Sequence, residues 1–343
     1  MSSGQDHREL PMRQRQPVTD PHAAQTSPEQ FASDVQYYLT LNPRQLPSRY
    51  FYDALGSALF EAICRLPWYR VTRAELRLLE AHGREIFERA GRPTRLVELG
   101  SGSGDKLATL VESGRSGAGP LDLHLIDVSP SALVVSSRAL SALNDVDVDV
   151  RIVTHEASYE AGLLEATREA WGAGPTLVLF LGSNIGNFDR PGAEAFLRGI
   201  RARLARGDAF LIGADLVKGE RELLLAYDDP LGVTAAFNRN LLARINRELG
   251  GDFDIERFAH RAVWNREESR VEMHLVSLAP QRVRVPAAEI DFTIEEHESI
   301  WTESSYKYQP DDIVRTLQQT GFECVRQWID DGDGFALTLV KAV

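Results

Sequence analysis

The sequence predicts an α/β fold, a Rossmann-like, doubly wound sheet that carries a second, smaller α+β domain. Three observations lead there. From about residue 72 to 216, short apolar runs alternate with helix-spaced segments, the pattern of strands joined through helices. A glycine turn, RLVELGSGSGDK over 95–106, links the first of these strands to a helix. After residue 216 the alternation stops, and an α+β stretch runs to about 310 before two closing strands.

Composition narrows the function. The 343 residues carry a formal charge of −12 and a pI near 5.2, so no positive field attracts a polyanion, and nucleic acid is not an expected partner. Cys64 and Cys324 lie far apart, without a CxxC or clustered histidines, which reads as two reduced thiols with neither disulfide nor metal. No apolar run reaches membrane-spanning length and the N-terminus lacks the apolar core of a signal peptide. A cytoplasmic protein without a membrane partner is expected.

Residues 1–29 are polar and read as a disordered leader. From Pro28 the spacing of Phe31, Val35, Tyr38 and Leu39 predicts a helix with Ser27 as its cap. The stretch RYFYDALGSALFEAICRLPWYRVTRAEL holds a helix over 57–65, flanked by Tyr52, Asp53, Trp68 and Tyr69. These aromatics either pack or give a pocket polar handles. A helix over 72–90 leads into the strand of Leu96, Val97 and Leu99. Gly100, Gly102 and Gly104 follow, where a backbone without Cβ turns tightly and lets a ligand lie against it. A phosphate loop needs Gly-Lys-Ser/Thr, and a dinucleotide fingerprint needs glycine where Asp105 stands, so neither fits. Asp127, closing the next strand LHLID, is placed to reach a ribose diol. With Glu98 at the first strand's end, the layout resembles the S-adenosylmethionine pocket of class I methyltransferases.

Ser129-Pro130 starts another helix, and VDVDVRIV over 147–154 predicts a third strand ending at His155 and Glu156. Glu156 is either a contact for an adenine edge or a solvated loop acid. TLVLFL over 176–181 is a central strand that ends at GSNIGNF, where Asn187 is either a ligand contact or the cap of a helix over 190–204. AFLIGADL over 209–216 is a fifth strand. Helices over 221–227 and 232–249 and strands over 258–264 and 270–278 follow, the strands joined by NREES. A helix over 311–319 and two strands around DDGDG close the chain, as suits the end of a methyltransferase sheet. Residues 74–217 and 308–343 form the sheet domain, and 30–73 with 218–307 form a substrate domain facing the glycine turn.

In IWTESSYKYQP, an extended chain points Glu303 and Ser305 to one face. A carboxylate beside a hydroxyl suits an imidazole, taking the N–H of one nitrogen and serving the other. A solvated strand face is the alternative.

Taken together, YFYDALGSALFEAICRLPWYRVTRAE, ELGSGSGDK, FLGSNIGNF, AYDDPLGVTAAFNRN and WTESSYKYQP resemble the histidine-specific Nα-methyltransferase family, which makes hercynine on the route to ergothioneine. The resemblance runs from about residue 30 to the C-terminus. It implies a class I methyltransferase domain, a smaller domain closing over the substrate, and S-adenosyl-L-methionine as co-substrate, three molecules per L-histidine, with methylated intermediates on the way. It implies Tyr52, Gly100, Lys106, Asp127 and Glu156 as cofactor contacts, although Ala157 stands where the family often has Phe. Asn187 and Tyr227 are implied as carboxylate anchors, Gly182 and Tyr69 near the amine, and Glu303 and Ser305 as imidazole readers. Tyr69 is the implied catalytic group, assisting loss of the amine proton. The common family form of one motif resembles LPEYYPTR, so Trp68, Arg70 and Val71 depart from it. That departure leaves a second reading open, an Nα-methyltransferase for another amino acid or small amine.

Overall fold

A computed structural model describes residues 27–114, 120–143, 150–168 and 174–343. Most of the polar leader (1–26) and the first residues of the expected third strand (147–149) lie outside the described residues. Helix α1 (Pro28–Thr40) starts on Ser27, whose side chain accepts the Gln30 N–H, and it buries Phe31, Val35 and Leu39. After the two-residue strand β1 (Arg44–Gln45) comes α2 (Ala54–Arg65). It begins earlier than the apolar spacing indicated because Asp53 caps it, accepting the Gly56 N–H at 2.7 Å. Helix α3 (Val71–Arg89) then leads into the sheet region: β2 (Arg95–Leu99), α4 (Asp105–Gly114), β3 (Leu121–Asp127), α5 (Pro130–Ser141), β4 (Val150–Glu156), α6 (Tyr159–Arg168), β5 (Thr176–Phe180), α7 (Arg190–Arg203) and β6 (Ala209–Asp215). The cap of α7 is Asp189, which accepts the Gly192 N–H at 2.8 Å, so the capping alternative for Asn187 falls away.

The insertion holds α8 (Glu220–Tyr227), α9 (Val233–Leu249), β7 (Phe258–Asn265), β8 (Arg270–Ser277), β9 (Gln281–Val285), β10 (Ile290–Ile294) and β11 (Ser299–Tyr306). The chain closes with α10 (Pro310–Gln319), β12 (Phe322–Asp330) and β13 (Phe335–Ala342). The hairpin of β9 and β10 and the short β1 were not anticipated. Two residues cannot display a period, whereas QRVRV and IDFTI do alternate and carried a readable signal.

The seven-stranded sheet has the order β12-β13-β6-β5-β2-β3-β4. Strands β2 to β6 pair in parallel, and β13 runs antiparallel to β6 and β12. Every residue of β2, β5 and β6 is buried, which only a central strand covered on both faces requires. Each such leucine contributes about 1.5–3 kcal/mol by burial, and Leu179→Ala would cost about 2–5 kcal/mol with the cavity it leaves. Strand order reverses between β2 and β5, and a crevice opens at their carboxyl ends.

A smaller sheet, β1-β11-β8-β7, stands over that crevice, with β1 parallel to β11. Past β11 the chain meets the end of β6: the Tyr308 N–H donates to the Asp215 carbonyl at 3.1 Å, and the Val217 N–H to the Tyr308 carbonyl at 3.0 Å. This junction fixes the smaller sheet on the larger one. It also brings β11 to the mouth of the glycine turn.

Candidate active site

The glycine turn is made by backbone conformation. Gly100, Gly102 and Gly104 have φ of +82°, +48° and +82°, a region that side chains disfavour, and a Cβ on Gly104 would fall 2.9 Å from the Ser136 Cα. Asp127 is held by that backbone. Its Oδ2 accepts the Gly102 N–H at 3.3 Å and its Oδ1 the Ser129 N–H at 2.9 Å. Burial pushes the Asp127 carboxyl up, against the pull of these N–H groups. The carboxylate faces a cavity of about 470 Å³ that Tyr52, Gly100, Tyr159 and Asn184 also line.

An adjoining cavity of about 370 Å³ lies on the other side of Gly100, bounded by Glu98, Lys106, Tyr69 and Gly182. Glu98 is 2% exposed, its Oε2 has no hydrogen-bond partner, and burial pushes its carboxyl up to about 8. An orphaned acidic oxygen in a cavity wall is a place for a cation. Lys106 is not a free cation: its Nζ lies 2.8 Å from Oε2 of Glu75. Burial opposes the lysine's charge, and the Glu75 carboxylate outweighs it. Fully buried Glu75 also accepts the Gly182 N–H with both oxygens, at 3.0 and 2.8 Å. It therefore ties the turn after β5 to the helix after the glycine turn. Glu156 sits elsewhere, exposed at the end of β4, the last strand of the sheet, and it lines neither cavity. Buried Tyr159 takes the wall position beyond it.

A further cavity opens toward the small sheet. Tyr69, Gly182, Asn187, Tyr227, Glu303 and Ser305 all line it, and Tyr52 is shared with the cavity at Asp127. Tyr69, Gly182 and Asn184 line both this cavity and the one at Glu98, so they form the border between the two. β11 comes this close because residue 186 is glycine, since a Cβ there would meet the Tyr306 carbonyl at 2.7 Å.

The polar groups of this cavity are tied together. Tyr227 Oη donates to Ser305 Oγ at 2.7 Å. Lys307 Nζ, with no side-chain exposure, donates to Tyr227 Oη at 2.8 Å and to Ser305 Oγ at 2.9 Å, and pairs with Asp215 Oδ2 at 2.9 Å. Lys218 Nζ lies 2.6 Å from the other oxygen of Asp215. Burial pushes the Glu303 carboxyl up to about 7, with the Lys307 ammonium pulling it back down. Burial also raises the phenols of Tyr69 and Tyr227, whose rings stand 6.4 Å apart. Both are therefore neutral hydrogen-bonding groups near pH 7.

The six residues expected on the substrate side are all in the wall of this cavity, whereas sequence reasoning did not single out Lys307, Asp215 or Glu75 and left Glu98 and Asn184 unassigned. The departures at 68–71 fall mainly outside the cavities. Arg70 is half exposed and pairs with Asp333 at 3.0 Å and Glu222 at 3.4 Å. Trp68 packs against the core, and Val71 lines the cavity at Glu98, as does Cys64. Both cysteines are free thiols. Among the described residues no His, Cys, Asp and Glu gather as a metal site, and no helix is long and apolar enough to cross a membrane.

Known proteins resemble the chain along most of its length. It is 38% identical over 317 residues to the histidine N-alpha-methyltransferase of Mycolicibacterium smegmatis, covering 92% of this chain and 96% of that one. The protein of the same name from Mycobacterium tuberculosis is 40% identical over 307 residues, 89% of this chain and 93% of that one. Ergothioneine biosynthesis protein 1 of Neurospora crassa is 29% identical over 83% of this chain, which corresponds to 32% of that protein. The family described as histidine-specific methyltransferase, SAM-dependent, matches residues 31–342. With a match of that extent, joined to the strand order and the glycine turn, the chain belongs to the S-adenosylmethionine-dependent, histidine-specific methyltransferase family.

Proposed function

We propose that this protein transfers methyl groups from S-adenosylmethionine to the α-amino nitrogen of L-histidine, three times in succession, giving hercynine for ergothioneine synthesis. One observation carries the reading: Tyr69, Gly182 and Asn184 form a border shared by the glycine-turn cavity and a cavity that holds a carboxylate and a hydroxyl on one strand face. Residues 74–217 and 308–343 act as the cofactor domain, and 30–73 with 218–307 as the substrate domain.

The residues at the turn suit S-adenosylmethionine. The orphaned Glu98 oxygen fits an ammonium group, the Asp127 carboxylate fits a ribose diol, and Tyr52 closes over the same cavity. Lys106 gives one donor to Glu75 and has two more for a carboxylate. When bound, the cofactor offers an electrophilic methyl group on a sulfonium sulfur.

The protein's own task is to present a neutral amine at the right place. Asn187 supplies an amide for the substrate carboxylate, and the Gly182 carbonyl accepts from the amine. Tyr69 stays a neutral phenol and relays the amine proton to water without holding it. Glu303 takes a ring N–H, and Ser305 serves the other ring nitrogen. Tyr227, implied as a carboxylate anchor, also donates to Ser305 Oγ at 2.7 Å, which supports reading it on the ring side of the pocket. Specificity rests on these buried groups, since a wrong side chain leaves each unpaired at about 1–3 kcal/mol. The competing reading, a different amino acid or amine, drew on Trp68 and Arg70, and Arg70 faces away in ion pairs.

Incubation with histidine and S-adenosylmethionine, followed by mass spectrometry of the amino acid, tests the proposal. Stepwise gain of three methyl groups is expected. No mass gain on histidine rejects it.

A further inference from the structure

The lysine behind the imidazole-reading pair is buried, and its hydrogen bonds can be counted. An ammonium has three donors and no acceptor. Those of Lys307 reach Tyr227 Oη, Ser305 Oγ and Asp215 Oδ2, at 2.8, 2.9 and 2.9 Å. Asp215 is held in turn by Lys218, and its own N–H donates to Ser183 Oγ at 2.9 Å, so the lysine head has a fixed seat. The Lys307 ammonium also sits 4.7 Å from the centre of the Tyr227 ring.

The protons of the two hydroxyls follow from this seat. Tyr227 gives its proton to Ser305. Ser305 Oγ then accepts from both Tyr227 and Lys307, which occupies both of its lone pairs. What remains at Ser305 is its own O–H, on a residue that lines the substrate cavity beside Glu303. A hydroxyl alone is ambivalent, able to donate or accept. Here its acceptor side is filled from behind, so the pocket faces the ring with one donor, Ser305, and one acceptor, the Glu303 carboxylate.

We propose that Lys307 is a positioning residue that fixes Ser305 as a hydrogen-bond donor, so that the pocket selects a neutral five-membered ring bearing one N–H and one acceptor nitrogen. The inference rests on the histidine reading above. It adds a tautomeric requirement and names the residue that imposes it.

The test measures histidine affinity by calorimetry in the presence of S-adenosylhomocysteine. Wild-type protein that binds no histidine overturns the reading of the site itself, before Lys307 is at issue. Given histidine binding, the wild-type protein is challenged with β-(pyrrol-2-yl)alanine and β-(pyrrol-3-yl)alanine. Each keeps a ring N–H and lacks the acceptor nitrogen. Both are expected to bind at least tenfold more weakly than histidine, and affinity within threefold for either one overturns the proposal.

Lys307→Met is then introduced into the wild-type and Ser305→Ala backgrounds. A loss of histidine affinity of at least tenfold is expected in the first and of less than threefold in the second, with the dissociation constant of S-adenosylhomocysteine within twofold throughout. Equal losses in the two backgrounds assign Lys307 a merely structural role and overturn the proposal. Should Lys307→Met not fold, Lys307→Gln, which keeps N–H donors toward Asp215, replaces it in the same cycle, and the pyrrole comparison stands without any variant.

Discussion

The two halves of the site are built by different means. The cofactor half is built mainly from neighbouring elements of one stretch of chain: strand β2, three glycines and, at the end of β3, the Asp127 carboxylate held by backbone N–H groups. The substrate half is an assembly of side chains from the α2–α3 connection, the turn after β5, helix α8 and strand β11, joined through Asp215 and Lys307. A site made of backbone tolerates side-chain change and announces itself locally. A site made of buried side chains depends on each partner, and an unmet polar group in it costs about 1–3 kcal/mol.

The comparison breaks most visibly at Glu303. Glu303→Ala is expected to raise the histidine dissociation constant about 100-fold, the upper part of the cost of leaving a buried ring N–H unpaired. The S-adenosylmethionine constant should stay within twofold. Calorimetry with each ligand decides, and equal losses would make Glu303 a structural residue.

The charge of Glu303 gives the next largest effect. Burial pushes its carboxyl up to about 7, and in the proposed reading it is the ionised form that accepts the ring N–H. Lowering the pH from 8 to 6 protonates it, so histidine affinity falls, approaching about tenfold per pH unit below 7. Glu303→Gln keeps an acceptor oxygen without a charge. Its affinity profile should follow only the ring of free histidine, which titrates near about 6.5. A wild-type profile flat between 7 and 8 and parallel to that of the variant below would contradict this account.

How much of the site was legible follows the same division. The glycine turn and the parallel strands showed in local spacing, since Gly100, Gly102 and Gly104 and the apolar run 176–181 need no distant partner to be recognised. That Glu303 and Ser305 share a face, as they do in lining one cavity, was legible for the same reason, because a strand has a two-residue period. Glu75 was not. It sits in RAELRLLE among ordinary charged helix positions, and what buries it, the Gly182 N–H and Lys106, comes from other parts of the chain. Lys307 was missed because a lone lysine after a strand reads as solvated, and only the contact of β11 with the end of β6 turns it inward. Glu156 was read from its position after a strand, and the structure places it exposed at the end of β4, the edge strand of the sheet.

Two smaller effects sharpen the comparison from the cofactor side. Asp127→Ala is expected to weaken S-adenosylmethionine about five- to tenfold, near 1–1.4 kcal/mol, because the backbone cradle survives it. Histidine affinity at saturating cofactor should move by less than twofold, and a larger change would mean that the halves are not separable. Arg70→Ala removes half-exposed ion pairs to Asp333 and Glu222 and should cost less than about 1 kcal/mol in stability, with turnover within twofold. Turnover reduced tenfold by Arg70→Ala would place that departure inside the substrate site after all.

The central claim is that the side-chain half selects histidine while the backbone half supplies the methyl group. It is tested most directly by giving the protein S-adenosylmethionine and an equimolar mixture of the common amino acids, and following each by mass spectrometry. Histidine should disappear first and reach the trimethylated form while the others keep their masses. Methylation of another amino acid ahead of histidine, or no methylation of histidine, would contradict the account.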